Sequence, residues 1–139
     1  MSADAKKVMS EYEYLRNQAE ALQKNLEMIN ASLTELGAVL EALDEIKGQG
    51  KKNEILVPIG ADSFVSARII DTKKVIIGLG ADVAVKKPIP GARKDLETRL
   101  KELEGVRGEI SEKLGMLLDR VEELTPQVQG ILAGARGER

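Results

Sequence analysis

The side chains that most often perform catalysis are missing from this sequence. Its 139 residues include no cysteine and no histidine. Without cysteine there are no thiol nucleophiles, thiolate metal sites or disulfides, and a reducing compartment is permitted. Without histidine the chain lacks the usual general base near neutral pH and the commonest nitrogen ligand of metals. The sequence therefore argues against most hydrolase and metalloenzyme mechanisms, and we expect no catalytic residue, no metal site and no cofactor.

Two other patterns could carry chemistry, but each lacks what that chemistry needs. The Gly78-Leu79-Gly80 stretch resembles part of a phosphate-binding loop. It has no third glycine, no Lys-Ser/Thr ending and no helix directly after it. The carboxylate pairs Asp44-Glu45 and Glu122-Glu123 lie in strongly charged segments, where acidic side chains usually form a solvated helix surface. We therefore expect this protein to bind and not to catalyse.

Composition and charge restrict the possible partners. The chain is 42% hydrophobic, which is enough for folding, yet its only aromatic residues are Tyr12, Tyr14 and Phe64. A compact core would lack the large side chains that usually supply most of the buried area. The formal net charge of −2 gives no positive field to attract nucleic acid or an anionic membrane. Because the sequence shows no leader pattern and no apolar run of about 18 residues, we expect a cytoplasmic protein. We expect it to bind neither nucleic acid nor a membrane.

Two long segments carry the apolar seam of a coiled coil. From Val8 to Leu43, steps of four and three residues always reach an apolar or aromatic side chain. The same steps from Leu96 to Ile131 meet one exception, Arg107. A repeat of about 3.5 residues is typical of helices that pack together as a coiled coil. Because the two seams have equal length, we predict helices over residues 5–46 and 92–133 that fold back on each other, with Leu43 near Leu96 and Val8 near Ile131.

The segment between the helices, residues 54–86, has the pattern of two β-hairpins. Glycines and charges from Lys47 to Asn53 are expected to end the first helix, and Pro88-Ile89-Pro90-Gly91 precedes the second. The turn sequence Gly-Ala-Asp occurs at residues 60–62 and again at 80–82. The predicted strands are the β-branched runs Ile55 to Ile59, Phe64 to Ile70, Val75 to Leu79 and Val83 to Val85, with a link between the hairpins at residues 71–74.

Four short strands cannot bury their own apolar side chains, which occur on both faces of the predicted sheets. Strands of other copies or relatives must cover them, so folding is expected to depend partly on assembly. The fold class is therefore α+β: a long antiparallel coiled-coil hairpin with two central β-hairpins that assemble into an oligomeric β-barrel platform. The residues expected to mediate this assembly are Ile55, Val57, Phe64, Val65, Ile69, Ile70, Val75, Ile77, Val83 and Val85.

The sequence resembles the alpha subunit of archaeal prefoldins over essentially its whole length. The resemblance lies in ILVPIGADSFV at residues 55–65, VIIGLGADVAVKK at 75–87 and LTPQ at 124–127, set between two coiled-coil helices. Two hairpins favour the alpha over the beta type. The resemblance implies a single-domain subunit of a hexamer with two alpha and four beta subunits. It also implies a holdase that captures unfolded proteins without ATP and passes them to a group II chaperonin.

An antiparallel arm brings both chain termini to its free end, where the resemblance places the capture of unfolded clients. Pro126 cannot donate a helix hydrogen bond, which would help that end to fray. Methionine and other flexible apolar side chains suit clients without a fixed sequence. The residues expected to bind clients are Val8, Met9, Tyr12, Leu15, Leu124, Val128, Ile131 and Leu132.

Each of these features has a purely structural alternative. The apolar residues near the termini could simply continue the seam, and Thr125 and Pro126 could begin a separate helical turn. Gly105, Gly108 and Gly115 could let the arm bend or could allow close helix packing.

At the level of function, the alternatives are a homomeric filament or structural coiled-coil scaffold, which some related alpha-like chains form, and an arm that contacts RNA. The mixed charges of the helices disfavour RNA.

Overall fold

The computed structural model describes residues 2–49 and 54–137 and has the predicted order of a helix, two hairpins and a second helix. The elements are α1 (Ala3–Gln49), β1 (Glu54–Gly60), β2 (Ser63–Arg68), β3 (Lys74–Gly80), β4 (Val83–Pro88) and α2 (Ile89–Ala135). The predicted α+β fold class is confirmed. Helix α1 continues through Gly48, while residues 50–53, on which the predicted end of this helix also rested, lie outside the described residues. No helix in the described ranges could cross a membrane.

Both helices follow the heptad pattern of the sequence. All eleven seam positions of α1 are buried or half-buried, and most residues between them are exposed. The same holds for α2 except at Arg107, which is exposed. The first turn of α1 is capped by Ser2, whose hydroxyl accepts a hydrogen bond from the Ala5 amide at 3.1 Å. The seam thus determines which face of each helix is buried.

The chain divides into two packed regions. The first, called here the terminal helix pair, combines residues 2–32 with 103–137. Ala5 lies beside Ile131, Glu11 binds Arg120, and Ile29 lies beside Ile110. The partner number falls as the number in α1 rises, so the two helical segments run antiparallel. Buried in this region are Ala19, Leu124 and Val128.

The second region, called here the hairpin region, comprises residues 33–102. Leu43 and Leu96 belong to one buried cluster, as predicted from the seam. The other buried members are Ile77 of β3 and Ile89 and Ala92 at the start of α2. Leu36, Leu40, Ile46 and Val75 pack around this cluster. Strand β3 is therefore held against the helical segments of its own region.

The strands form two separate antiparallel pairs, β1 with β2 and β3 with β4. Both pairs shift register before the turn, between Pro58 and Gly60 and between Gly78 and Gly80. Both turns also place their Ala-Asp pair at positive φ, between 49° and 61°. Two central residues of positive φ are typical of a type I′ turn, whose twist matches that of the strands. The repeat seen in the sequence is thus a repeat of backbone conformation.

The links on either side of the second hairpin rest on local hydrogen bonds. Strand β2 ends at Arg68, before the predicted Ile70. The Asp71 carboxylate then accepts hydrogen bonds from the amides of Lys73 and Lys74, at 2.9 and 3.2 Å. The Ile89 amide donates to the Lys73 carbonyl at 2.9 Å. Helix α2 therefore starts at Ile89, and Pro90 lies in its first turn, where an amide hydrogen is not needed.

Candidate binding surfaces

The residues predicted to bind clients all lie in the terminal helix pair, with different exposures. Leu124 is 1% exposed and Val128 5%, so both are part of the packing between the helices. Leu132 is 43% exposed. The remaining five are half-buried: Val8, Met9, Tyr12, Leu15 and Ile131. Presentation of Leu124 and Val128 to a client would require the helices to separate, whereas Leu132 needs no such opening.

The structure brings four of these residues together in one groove. Met9 and Tyr12 of α1 and Val128 and Leu132 of α2 line a depression of about 290 Å³. Its polar margin includes Glu13, Arg16, Asn17 and Glu20. The Arg16 guanidinium lies over the Tyr12 ring, 5.7 Å from its centre, within the range of a cation–π attraction. We call this depression the carboxylate-edged groove, after Glu13 and Glu20.

The other predicted residues lie elsewhere. Ile131 borders a shallow depression with Ala5, Gly134 and Ala135. Leu15 lines a second groove of the terminal helix pair, of about 520 Å³. The other residues of this second groove are Tyr14, Gln18, Leu22, Lys113, Met116, Leu117 and Arg120. Leu15 thus contributes to a different surface from that of Met9 and Tyr12.

Met116 is not among the candidate binding residues predicted from the sequence. Met116 falls outside the seam and is 68% exposed, and Tyr14 is 63% exposed. Each is unremarkable alone, because single exposed apolar residues are common. The antiparallel register brings them to the same groove, so pairing the two seams residue by residue would have revealed the apolar surface.

Pro126 lies inside a continuous helix. The idea that Thr125 and Pro126 begin a separate turn is therefore wrong. The Thr125 hydroxyl donates to the Val121 carbonyl at 2.7 Å, a bond from residue i to residue i−4. Proline has no amide hydrogen, so the ladder lacks the bond that residue 126 would donate to the Glu122 carbonyl. The last turns of α2 are thus attached by one hydrogen bond fewer than a regular helix.

The helical glycines are not explained by packing within the chain. A Cβ atom built on Gly105, Gly108 or Gly115 would meet nothing within 4 Å, and Gly130 is equally open. Of the two interpretations left by the sequence, close helix packing in this chain is wrong. The remaining interpretation is a more flexible backbone. Each glycine lowers the stability of the helix by roughly 1 kcal/mol relative to alanine.

The predicted assembly surface is largely exposed in the single chain. Ile70 is 83% exposed and Phe64 56%, and the exposure of Val65 and Val83 is close to that of Phe64. Ile55, Val57, Ile69 and Val85 are less exposed, with Val57 at the margin of the exposed class. Ile77 and Val75 differ, because both belong to the packed cluster of the hairpin region. These two residues stabilise the chain itself, and the other eight remain candidates for contact with another subunit.

Two arginines tie the helical segments together within the regions. In the terminal helix pair, the Arg120 guanidinium donates to carboxylates of Glu11 and Glu123, each at 3.0 Å. In the hairpin region, Arg93 binds Asp44 and also donates to the Leu40 carbonyl at 3.1 Å. The hydrogen bonds to Glu11 and to Asp44 raise the pKa of Arg120 and of Arg93, respectively. Arg120 is exposed and Arg93 is half-buried, and ion pairs with this much solvent access fix register more than they add stability.

The chain is similar to known proteins over most of its length. A family model described as "Prefoldin subunit" matches residues 15–133. Prefoldin subunit alpha of Methanobrevibacter smithii is 29% identical over 130 residues, 94% of this chain and 88% of the relative. Prefoldin subunit alpha of Pyrococcus horikoshii is 35% identical over 129 residues, 87% of each chain. Prefoldin subunit alpha 1 of Thermococcus kodakarensis is 40% identical over 105 residues.

A solved structure has the same fold. The cryo-EM structure of filamentous PFD from Methanocaldococcus jannaschii matches with a TM-score of 0.72 and 22% sequence identity, covering 85% of this chain and 98% of the other. Prefoldins are chaperones and are not enzymes, which agrees with a chain whose recognisable features are two seams and two hairpins. The match over residues 15–133 includes both hairpins, the whole second seam and the first seam from Leu15 onward. The chain therefore belongs to the prefoldin family, as a subunit of the alpha type.

Proposed function

We propose that this chain is a holdase subunit that captures unfolded proteins without ATP and passes them to a group II chaperonin in the cytoplasm. The observation that carries the proposal is the apolar surface of the terminal helix pair. Tyr14, Met116 and Leu132 face solvent there, although seam packing does not require them to be apolar. Exposed apolar patches on a protein usually mark a binding surface. In a chaperone family, the ligand that suits such a surface is a chain with its own apolar residues unburied.

The hairpins supply the assembly that this function requires. Their exposed apolar side chains need a cover that two-stranded ribbons cannot provide. We propose that prefoldin beta-type subunits provide it, with two alpha and four beta subunits in a closed complex. Several arms would then face the same client. Multivalent contact raises avidity by about 10²–10⁴ when the geometry allows simultaneous binding, so each arm can bind weakly and still release.

The first test is suppression of aggregation. The client is an enzyme such as citrate synthase, which unfolds and aggregates on heating. A molar excess of the purified assembly over this client should reduce the light scattering of the heated mixture. A variant that lacks residues 1–10 and 126–139 loses the end of the terminal helix pair and should protect at least several-fold less. Its mass should equal that of the wild-type assembly apart from the deleted residues. Unchanged protection by this variant would refute capture at the end of the terminal helix pair, since the variant keeps Tyr14 and Met116.

A second candidate function is a structural filament. It is favoured by the fold shared with a filamentous PFD and by hairpins whose apolar residues could meet copies of the same chain. The mass of the chain alone and after mixing with a beta-type subunit separates the two candidates. A discrete complex that forms only in the mixture supports the closed assembly. Long polymers of the chain alone, without protection of a client, support the filament.

A further inference from the structure

The second groove of the terminal helix pair differs in charge from the first, whose margin carries Glu13 and Glu20 beside one cation, Arg16. Two of its lining residues are cationic, Lys113 and Arg120, and none is acidic. Arg120 is neutralised by Glu11 and Glu123. Among the described residues Lys113 forms no ion pair, so its ammonium group is the available charge of this groove. We call it the lysine-edged groove.

The two grooves lie on opposite sides of the α1 seam. Tyr14 and Gln18 each precede a seam position by one residue, and both line the lysine-edged groove. Glu13, Arg16 and Glu20 each follow a seam position by one residue, and all line the carboxylate-edged groove. Residues directly before and directly after the seam diverge to its two sides, because successive residues of a helix are about 100° apart. A ligand in one groove therefore does not occupy the other.

The lysine-edged groove has the size and lining of a binding cleft. Its volume of about 520 Å³ lies within the roughly 300–1,000 Å³ of known ligand clefts. Tyr14 and Met116 form its exposed walls and Leu15, Leu22 and Leu117 its floor. Methionine and tyrosine combine apolar contact with adaptable shape, which suits ligands of varied sequence.

We propose that this groove binds apolar client segments that carry glutamate or aspartate, with Lys113 as the partner of the carboxylate. The apolar walls hold leucine or phenylalanine side chains, and the unpaired ammonium selects the charge beside them. The carboxylate-edged groove is less complementary to such a segment, since Glu13 and Glu20 border it and its one cation, Arg16, lies over the Tyr12 ring. The inference rests on the proposed function for its ligand, an unfolded protein, and adds the class of segment and the site.

The test uses the full-length assembly and two unstructured fluorescent peptides. The peptides share the same leucine and phenylalanine residues and differ only in having glutamate or lysine between them. We expect the wild type to bind the glutamate peptide more tightly in a fluorescence anisotropy titration. The variant Lys113→Glu should weaken that binding about three- to tenfold, the range that loss of an exposed ion pair and gain of a like-charge contact supports. Binding of the lysine peptide should not weaken.

Matched controls separate the groove from general surface properties. Lys24→Glu makes the same charge change in the terminal helix pair outside both grooves and should leave both affinities unchanged. Because the chain has no cysteine, single cysteines at position 116 or 28 can each carry a benzophenone probe. Met116 and Met28 have nearly equal exposure, 68% and 70%. The glutamate peptide should crosslink at position 116 and much less at position 28.

The possible outcomes distinguish this inference from the proposed function. Equal affinity of the wild type for both peptides, equal effects of Lys113→Glu and Lys24→Glu, or equal crosslinking at the two positions would overturn the groove assignment. The aggregation assay then still decides the holdase function on its own. The expected peptide pattern in an assembly that fails to protect any client would support the groove and remove the holdase function.

Discussion

At the residue scale, single carboxylates hold the links of the hairpin region. The Asp71 carboxylate accepts hydrogen bonds from the backbone of Lys73 and Lys74 and lies 3.8 Å from the Lys86 ammonium. The hydrogen bond from Lys73 is the largest cause that lowers the pKa of Asp71. The hydrogen bond from Lys87 likewise lowers the pKa of Asp95. These two groups join the first hairpin to the second and β4 to α2.

Their lowered pKa values predict a loss of stability in acid. A carboxylate whose pKa is lower in the folded than in the unfolded state stabilises the fold above its unfolded pKa, about 3.9 for aspartate. That contribution disappears as the pH falls through the lower, folded pKa. Asp71→Asn should therefore be less stable than the wild type at pH 7, and the difference should shrink below about pH 4. Urea unfolding followed by circular dichroism at several pH values measures this.

A matched variant tests the cause. Asp62→Asn makes the same change at an aspartate for which no such hydrogen bond is seen among the described residues, and it measures the effect of the substitution itself. A pH-independent difference between Asp71→Asn and the wild type would mean that the geometry of the turn, and not the charge of Asp71, stabilises the link.

At the element scale, the backbone of α2 has a low tendency to form a helix, although its seam is almost wholly apolar. It contains open glycines at positions 105, 108, 115 and 130 and a proline at 126 that removes one bond of the ladder. Together they lower helix stability locally while the seam keeps its apolar residues. The element is therefore held mainly by contacts across the seam and less by its own backbone.

Alanine at one of these glycines should stabilise the protein. Gly115→Ala adds a Cβ in open space and removes backbone freedom from the unfolded chain, so the free energy of unfolding should rise by about 0.5–1 kcal/mol. Gly80→Ala is the control, because Gly80 has φ +94°, where a side chain is strained, and stability should fall. Thermal unfolding of the assembly measures both. A fall for Gly115→Ala would indicate that another chain approaches this glycine closely.

The sequence predicted these elements well because their signals are local. The seams predicted both helices and the pairing of Leu43 with Leu96, and the repeated Gly-Ala-Asp sequence predicted both turns. It could not show that Ile77 packs inside the chain, since β3 and β1 have similar apolar patterns. It also missed the lysine-edged groove, because Tyr14 and Met116 are about a hundred residues apart and meet only through the register of two helices.

At the scale of the whole molecule, the described chain leaves much apolar surface uncovered. The two hairpins and the link between them expose Leu56, Val57, Ile59, Phe64, Val65, Ile70, Ile76, Leu79 and Val83. A monomer with such a surface is expected to associate. Stability and assembly should therefore be linked, so that the unfolding temperature rises with protein concentration.

A charge on this surface should weaken assembly. Ile70 is 83% exposed and lies outside the strands, so Ile70→Asp removes little packing within the chain itself. Burying an aspartate between subunits should raise the dissociation constant at least about thirtyfold, or roughly 2 kcal/mol. Native mass spectrometry should show smaller species. Met28→Asp, a change at a similarly exposed helix residue, should not, and an unchanged mass for Ile70→Asp would exclude this residue from the interface.

The twin turns also impose an order on folding. Ala61, Asp62, Ala81 and Asp82 hold a left-handed backbone, which costs non-glycine residues roughly 1–2 kcal/mol each. A two-stranded ribbon is marginal even without that cost, so neither hairpin can act as the nucleus. We therefore expect the helices to pair before the ribbons are complete. The surface that contacts other subunits would then form only after the helices have paired.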